Sequence, residues 1–364
     1  MKPIYLKEGI RIFARSLRVR LKGFKKYEGG ARQICSQIVN ECFNGKYFQV
    51  SRGHFCEFYT RDFGWCADSL LKLGYRKQVI KTLSYCLDIF SRHKKVTTSI
   101  SPAGKPFDFP FYAPDSLAFL IRSLRAAGSK SLVKMHSSFL NKEIKKFFSL
   151  VIDRDTGLVR SDRHFSSMKD HSLRKSSCYD NVMAAMLAKE IGDIRALENP
   201  FKSYNFKKTI KANFWNGNYF VEDLSGSRYI TGDSNVFPFW CGVFDSKSML
   251  KNSVQSIQEA RLDKPFPLRY SNNPKLGRQK FIALEFFAKN YERSTVWTHM
   301  GPLYISLTKK INKDDFSKYC QQYKKMIEKH KNYLEVFTPD SRPYHTPFYY
   351  SDESMLWAAN FLGL

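Results

Sequence analysis

The feature that most constrains this chain is an alternation of two kinds of helical segment. One kind is amphipathic, with a single apolar stripe and a polar, mostly Lys-bearing opposite face: Cys35, Ile38, Val39 and Cys42; Val79, Ile80, Leu83, Leu87 and Phe90; Leu140, Ile144, Phe147, Phe148 and Val151; Phe316, Tyr319, Cys320, Tyr323, Met326 and Ile327. Helices of this kind lie at a surface. The other kind is apolar nearly all round: residues 117–120 with Leu124 and Ala126, 182–188, 236–239 with Trp240 and Val243, the run from Trp297 to Leu307, and 355–359 with Phe361 and Leu362. A helix without a polar face must be surrounded by protein. Strict alternation therefore predicts an all-α array of helical hairpins closed on itself, outer helices sheathing inner ones. About six pairs are expected, the weakest near residues 204–214 and 248–259.

Exceptions to helix are short. Residues 218–223 and 228–231 flank Leu-Ser-Gly-Ser and read as a β-hairpin, and 261–280, rich in Pro, Asn and basic residues, read as a long loop. Residues 1–26 carry nine Lys or Arg and one Glu, with Ile10, Phe13, Leu17, Leu21 and Phe24 as one apolar stripe. Such a segment suits contact with an anionic surface or membrane, a presequence, or a helix packed on the main body. Gly29-Gly30 ends it, so the chain divides into a basic segment, 1–30, and a main domain, 31–364.

The net charge of +27 on 364 residues admits a polyanion partner, but charge alone names none, and no specific nucleic-acid partner is expected. No apolar run approaches the roughly 18 residues of a membrane span. Eight scattered cysteines without a C-x-x-C pair read as buried free thiols in a reducing, cytoplasmic setting. There is no P-loop, G-x-G-x-x-G, H-E-x-x-H or G-x-S-x-G, and neither metal nor cofactor is indicated.

Several buried helices begin with polar or aromatic groups. Arg61, Asp62 and Trp65 stand where an irregular segment becomes an apolar helix; Asp115, Tyr179-Asp180, Asp233-Ser-Asn235 and Trp297 stand at comparable points. Gathered in one place, such groups suit a carbohydrate, which offers hydroxyls to charged donors and ring faces to aromatics. His299 and His345 lie beside the same stretches.

The alternation, with four ordered motifs, resembles the six-hairpin (α/α)6-toroid glycoside hydrolases: glucoamylases, the glucosidase domain of glycogen debranching enzymes, trehalases, processing α-glucosidases and neutral invertases. Tyr59-Thr-Arg-Asp-Phe-Gly-Trp65 resembles their Arg-Asp signature, and Phe214-Trp-Asn-Gly-Asn-Tyr-Phe-Val-Glu-Asp223 their F-W-x-x-x-x-Y-x-x-D segment, with the Tyr one residue early. Arg293-Ser-Thr-Val-Trp-Thr-His299 is similar to their R-G-x-V-W-P stretch, and residues 332–357 to their catalytic-Glu loop and last inner helix.

That resemblance implies an exo-acting, inverting hydrolase of the non-reducing end of an α-glucoside or α-glucan oligosaccharide, without a cofactor. By position it makes Glu335 the base and Asp115 or Asp180 the acid, since trehalase-like and invertase-like members place an Asp at the start of the fourth helix and glucoamylases a Glu at the start of the sixth. The residues after Asp115 depart from the family's D-S-x-L-W-W form. It gives Arg61 and Asp62 to the terminal sugar, with Trp65, Tyr179, Asp233, Asn235, Trp297 and His299 lining it. Each Asp also has an ordinary reading as a helix N-cap. The same toroid carries epimerases, lyases and phosphorylases, for which His299 and His345 would matter. A non-catalytic polyanion-binding protein is the reading outside enzymes.

Overall fold

The computed structural model describes residues 3–273 and 287–364. Six inner helices form a closed ring: α3 (Thr60–Lys72), α5 (Pro114–Ala126), α8 (Cys178–Gly192), α10 (Gly232–Trp240), α12 (Met300–Thr308) and α14 (Ala358–Leu362). Each packs on the next, and α14 returns to α3. Outside them stand α2 (Ala31–Cys42), α4 (Arg76–Arg92), α7 (Ser137–Val151) with the short α6 (Lys130–Met135), α9 (Phe206–Phe214), α11 (Lys247–Glu259) and α13 (Lys313–His330), with α13 closing on α2. This is the (α/α)6 toroid. Burial follows the two sequence patterns: α8 is buried almost throughout, whereas α13 buries only Tyr319, Tyr323 and Ile327.

Close approach to the inner helices uses glycine. A Cβ on Gly64 of α3 would stand 2.4 Å from the Phe119 Cβ of α5. On Gly301 of α12 it would meet the Pro267 carbonyl oxygen at 2.6 Å and the Tyr323 ring end.

The strands are two residues each. β1 (Phe58–Tyr59), β2 (Ser99–Ile100) and β3 (Pro106–Phe107) make an antiparallel sheet at the start of α3, and β4 (Val296–Trp297) pairs with β5 (Val336–Phe337). Here the structure departs from the helical run expected from Trp297. The main chain of 296–297 is taken by β5, so the helix starts three residues later, at Met300.

The expected hairpin is reduced to a Val221–Ile230 bridge, with a Trp215–Phe220 bridge before it. Residues 261–273 are turns and isolated bridges, and the rest of the expected loop, 274–280, lies outside the described residues. All eight cysteines are free thiols, six of them buried. No described helix is long and apolar enough to cross a membrane.

α1 (Pro3–Lys22) lies against the loops that precede α3, α5 and α14 through polar contacts, with Val19 buried and Ile12 on the core. Phe24 falls beyond the helix end and meets the Tyr350 ring edge-on at 5.4 Å.

Candidate active site

The inner helices begin at one end of the toroid, where their unpaired N–H groups and positive dipole ends favour carboxylates. Arg61 and Asp62 occupy the first turn of α3, which is anchored to β2's approach by Thr60: its N–H and hydroxyl donate to the carbonyls of Thr98 and Thr97, at 2.9 and 2.8 Å. The Arg61 guanidinium is a hub. Its Nη1 lies 3.6 Å from Asp115 Oδ2 and 3.5 Å from Asp170 Oδ1, and its Nε 3.8 Å from Asp62 Oδ2. Burial works against its charge, yet the three carboxylates outweigh burial and hold it protonated.

Asp115 is wholly buried and follows Pro114 at the start of α5. It is not an N-cap, a position held by Ala113. Tyr179 of α8 donates to its Oδ2 at 3.1 Å, while Oδ1 has no partner among the described residues. Burial pushes its pKa up to about 7 against the pull of Arg61, with repulsion from Asp180 and Asp170 adding to the rise. Asp62 is raised to about 6, again by burial, while Arg61 and an indole N–H bond from Trp357 at 3.0 Å pull it down.

Asp180 is not a cap either. Ser177 caps α8 by accepting the Asp180 N–H at 3.0 Å, and its hydroxyl lies 2.6 Å from Asp180 Oδ2. Burial raises the Asp180 pKa, with Arg174 opposing, and Oδ1 is without a partner among the described residues. Arg174 pairs with Asp233 at 3.2 Å, which places Asp233 at the first turn of α10 in the same charge cluster.

Glu335 stands just before β5. Its N–H donates to the Asp352 carbonyl and its carbonyl accepts the Thr298 N–H, pinning it between the approaches to α12 and α14. Oε2 accepts from the Tyr349 hydroxyl at 2.6 Å and the Asp352 N–H at 2.9 Å, and Oε1 from the Tyr291 hydroxyl. Burial first, then repulsion from Asp352, pushes its pKa up to about 8 despite these three donors.

An aromatic chain links the two carboxylate groups. Tyr291 meets Trp297 edge-on at 4.7 Å, Trp297 meets His299 at 5.2 Å, and His299 stacks on Trp65 at 4.5 Å and 7°. Arg61 lies 5.5 Å from the Trp65 ring centroid and completes the path to Asp115. His299 is buried, and burial together with the Arg61 charge drives its pKa well below the usual value, so the ring is neutral.

The structure thus brings Arg61, Asp62, Trp65, Asp115, Tyr179, Asp180, Asp233, Trp297, His299 and Glu335 to one end of the ring. Asn235 is spent elsewhere: its amide bonds both backbone groups of Phe220, the Thr231 carbonyl and the Ser253 hydroxyl, fastening α10 to α11. Trp240, another aromatic at an inner-helix position, ends α10 under the Arg122 guanidinium, a helix length from Asp233. His345 is exposed and stacks on Tyr350, so it forms no pair with His299, and a two-histidine reaction has no geometry here.

Sequence reasoning missed Asp170, Arg174, Tyr291 and Tyr349. Asp170 and Arg174 lie in the irregular segment before α8, where no periodicity marks them; Glu292 collects the N–H groups of residues 170–172 and fixes that segment. Tyr349 did stand in the motif stretch before the last inner helix, which was the available signal.

No protein-family model and no curated protein sequence matches the chain. Solved structures do. The chain is similar to a rhamnosidase from Klebsiella oxytoca with rhamnose bound, at 9% identity and a TM-score of 0.64, covering 92% of this chain but only 63% of the rhamnosidase. It is similar to a glycosidase variant in complex with glucose, at 10% identity and TM-score 0.65, over 98% of this chain and 96% of the other. A mannosylglycerate hydrolase of glycoside hydrolase family 63 from Thermus thermophilus, in complex with Tris and D-glycerate, matches at 10% identity and TM-score 0.62 over 92% and 99%. At these identities the likeness is one of fold.

Proposed function

We propose that the chain is a glycoside hydrolase that removes the terminal sugar from a small glycoside by a single inverting displacement. The observation that carries this reading is the pairing of Glu335 with Asp115 and Asp180, buried carboxyl groups at one end of a toroid whose solved likenesses are glycosidases. The chemistry asks for a carboxylate on one side of the anomeric carbon and a carboxylic acid on the other. Glu335 takes a proton from water as the water oxygen bonds to that carbon. The acid gives its proton to the glycosidic oxygen as the carbon–oxygen bond breaks.

Asp115 is the first assignment for the acid, supported by a pKa of about 7 and an oxygen without a partner among the described residues; Asp180 is the alternative. Arg61 and Asp62 bind hydroxyls of the terminal sugar, with Tyr179, Asp233, Trp65, Trp297 and His299 around them. Residues 31–364 carry the chemistry, and free thiols throughout suit a cytoplasmic setting. Asp115, Asp180 and Glu335 are 0%, 4% and 1% exposed, so a sugar reaches them only when neighbouring loops part.

The substrate is an α-glucoside or short α-glucan. The test is hydrolysis of a panel of α-glucosides, α-rhamnosides and mannosylglycerate, with the product anomer followed by NMR. Release of β-glucose from an α-glucoside is the expected result. Retention of configuration would overturn the single displacement, and silence across the panel would overturn the hydrolase.

A further inference from the structure

α1 turns its longer apolar stripe outward. The side that meets the toroid is mixed: Val19 is buried, Ile12 packs on the core and the Tyr5 ring meets Phe107 and Phe109. But the Tyr5 hydroxyl also donates to the Asp108 carbonyl at 2.7 Å, Arg11 pairs with Glu57, Arg15 pairs with Glu353 at 2.9 Å, and the Ser16 hydroxyl accepts the Tyr350 N–H at 3.0 Å. Glu8 and Ser16 are buried on this side. Leu6, Ile10, Phe13, Leu17 and Leu21 follow one another at steps of three or four and point the opposite way, exposed by 48–76%. A packed surface helix does the reverse and hides its apolar stripe.

The toroid itself dictates this orientation. Glu57 and Glu353 are each 1% exposed, and Arg11 and Arg15 are their partners. Rolling α1 over to bury the leucines would take the guanidinium partner from both buried carboxylates, leaving Glu353 only the Lys25 N–H and the Asn332 amide, which is the costlier arrangement.

We propose that the outward stripe is an insertion face, and that α1 docks the protein flat onto bilayers carrying anionic headgroups. Exposed Lys7 and Arg18 border the stripe, and exposed Lys22 and Lys26 follow. The single acidic residue of 3–26, Glu8, is turned inward. From Leu6 to Leu21 the stripe runs about 22 Å at 1.5 Å per residue, a length that lies along an interface. A second copy of the chain would bring the same positive charge against itself, and a nucleic acid has no use for five apolar side chains; a lipid surface meets both features at once. α1 sits on the loops before α3, α5 and α14, so docking turns the carboxylate end of the toroid toward the bilayer.

The test is flotation of the full chain with vesicles of phosphatidylcholine alone, and of phosphatidylcholine with about one-third phosphatidylserine. Binding to the anionic vesicles only is expected, weakening as salt is added. The triple change Ile10→Ser, Phe13→Ser and Leu17→Ser should reduce it at least about tenfold, since each removed side chain forfeits buried apolar area, with circular dichroism and melting temperature unchanged. As a check that leaves the stripe apolar, Phe13→Trp should add a blue-shifted emission component on the anionic vesicles. The proposal is overturned if wild type floats with neither vesicle, if the triple variant binds as wild type does, if the added Trp emission does not move, or if sedimentation shows a dimer that the triple variant dissolves.

Discussion

Asp115 and Glu335 are buried carboxyl groups of one site held by opposite means. Asp115 has the Arg61 guanidinium beside it and one hydrogen bond from Tyr179. Glu335 is paired with no Arg or Lys among the described residues; two tyrosine hydroxyls and a backbone N–H hold it. A cation acts on a buried carboxylate more strongly than neutral donors do. Burial nevertheless dominates both: Asp115 is lifted from 3.8 to about 7 and Glu335 from 4.5 to about 8, nearly the same rise against different opposing groups.

Both elevations bear on the proposed hydrolysis. Under that assignment the productive form needs Glu335 ionised and Asp115 neutral, and with both groups raised into the range of about 7 to 8 only a fraction of the protein holds both at any pH. A bell-shaped kcat/KM profile follows, with limbs at about 7 and about 8 and its maximum between them.

Removing a carboxyl group proposed to react should have the largest effect. Glu335→Gln and Asp115→Asn should each lower kcat by about 10²- to 10⁴-fold. Equal loss in Asp180→Asn with Asp115→Asn still active would move the acid to Asp180.

Removing the cation comes next. Arg61→Met leaves Asp62, Asp115 and Asp170 crowded without their shared partner, and denaturant unfolding should show a stability loss of about 3–5 kcal/mol. An unchanged midpoint would mean that the three carboxyls do not depend on the guanidinium.

Removing one neutral donor should be milder. Tyr349→Phe takes away a bond that favours the ionised Glu335, so the limb at about 8 should move upward by about one pH unit, read from the kcat/KM profile. A downward shift would contradict the donor's sense.

The last effect is on stability against pH. The folded pKa of Glu335, about 8, exceeds the 4.5 of a free glutamate, so the folded protein keeps a proton that the unfolded chain has released. Stability from this group is therefore full below about pH 4.5 and falls as pH rises through about 8. Glu335→Gln lacks that loss, and its melting temperature relative to wild type should climb across this window. A constant difference would show that Glu335 titrates at its free value.

Much of the ring was legible because burial on all sides leaves a compositional mark. Residues 182–188 and 300–305 could be nothing but inner helix, and the Lys-bearing stripes could be nothing but outer ones. The polar residues that open the inner helices were legible for the same reason, as exceptions in apolar surroundings. Asn235 has that signature too, yet it serves the Phe220 turn, because a polar residue at a buried helix start has two uses and the sequence shows neither. Trp297 read as helix because an apolar Val-Trp step fits either period; the pairing with Val336 and Phe337 decided for strand.

By itself, then, the sequence determined which faces of the ring helices are buried, and with them the alternation and the closed ring. It did so because periodicity is a local property. The tertiary structure alone decided who partners whom: Arg61 as a hub for carboxylates from three segments, Tyr291 and Tyr349 on Glu335, and Arg15 on Glu353, which turns the leucines of α1 outward. Those partners are mostly separated by tens to hundreds of residues, and a buried charge takes whichever counter-group the closed fold sets beside it.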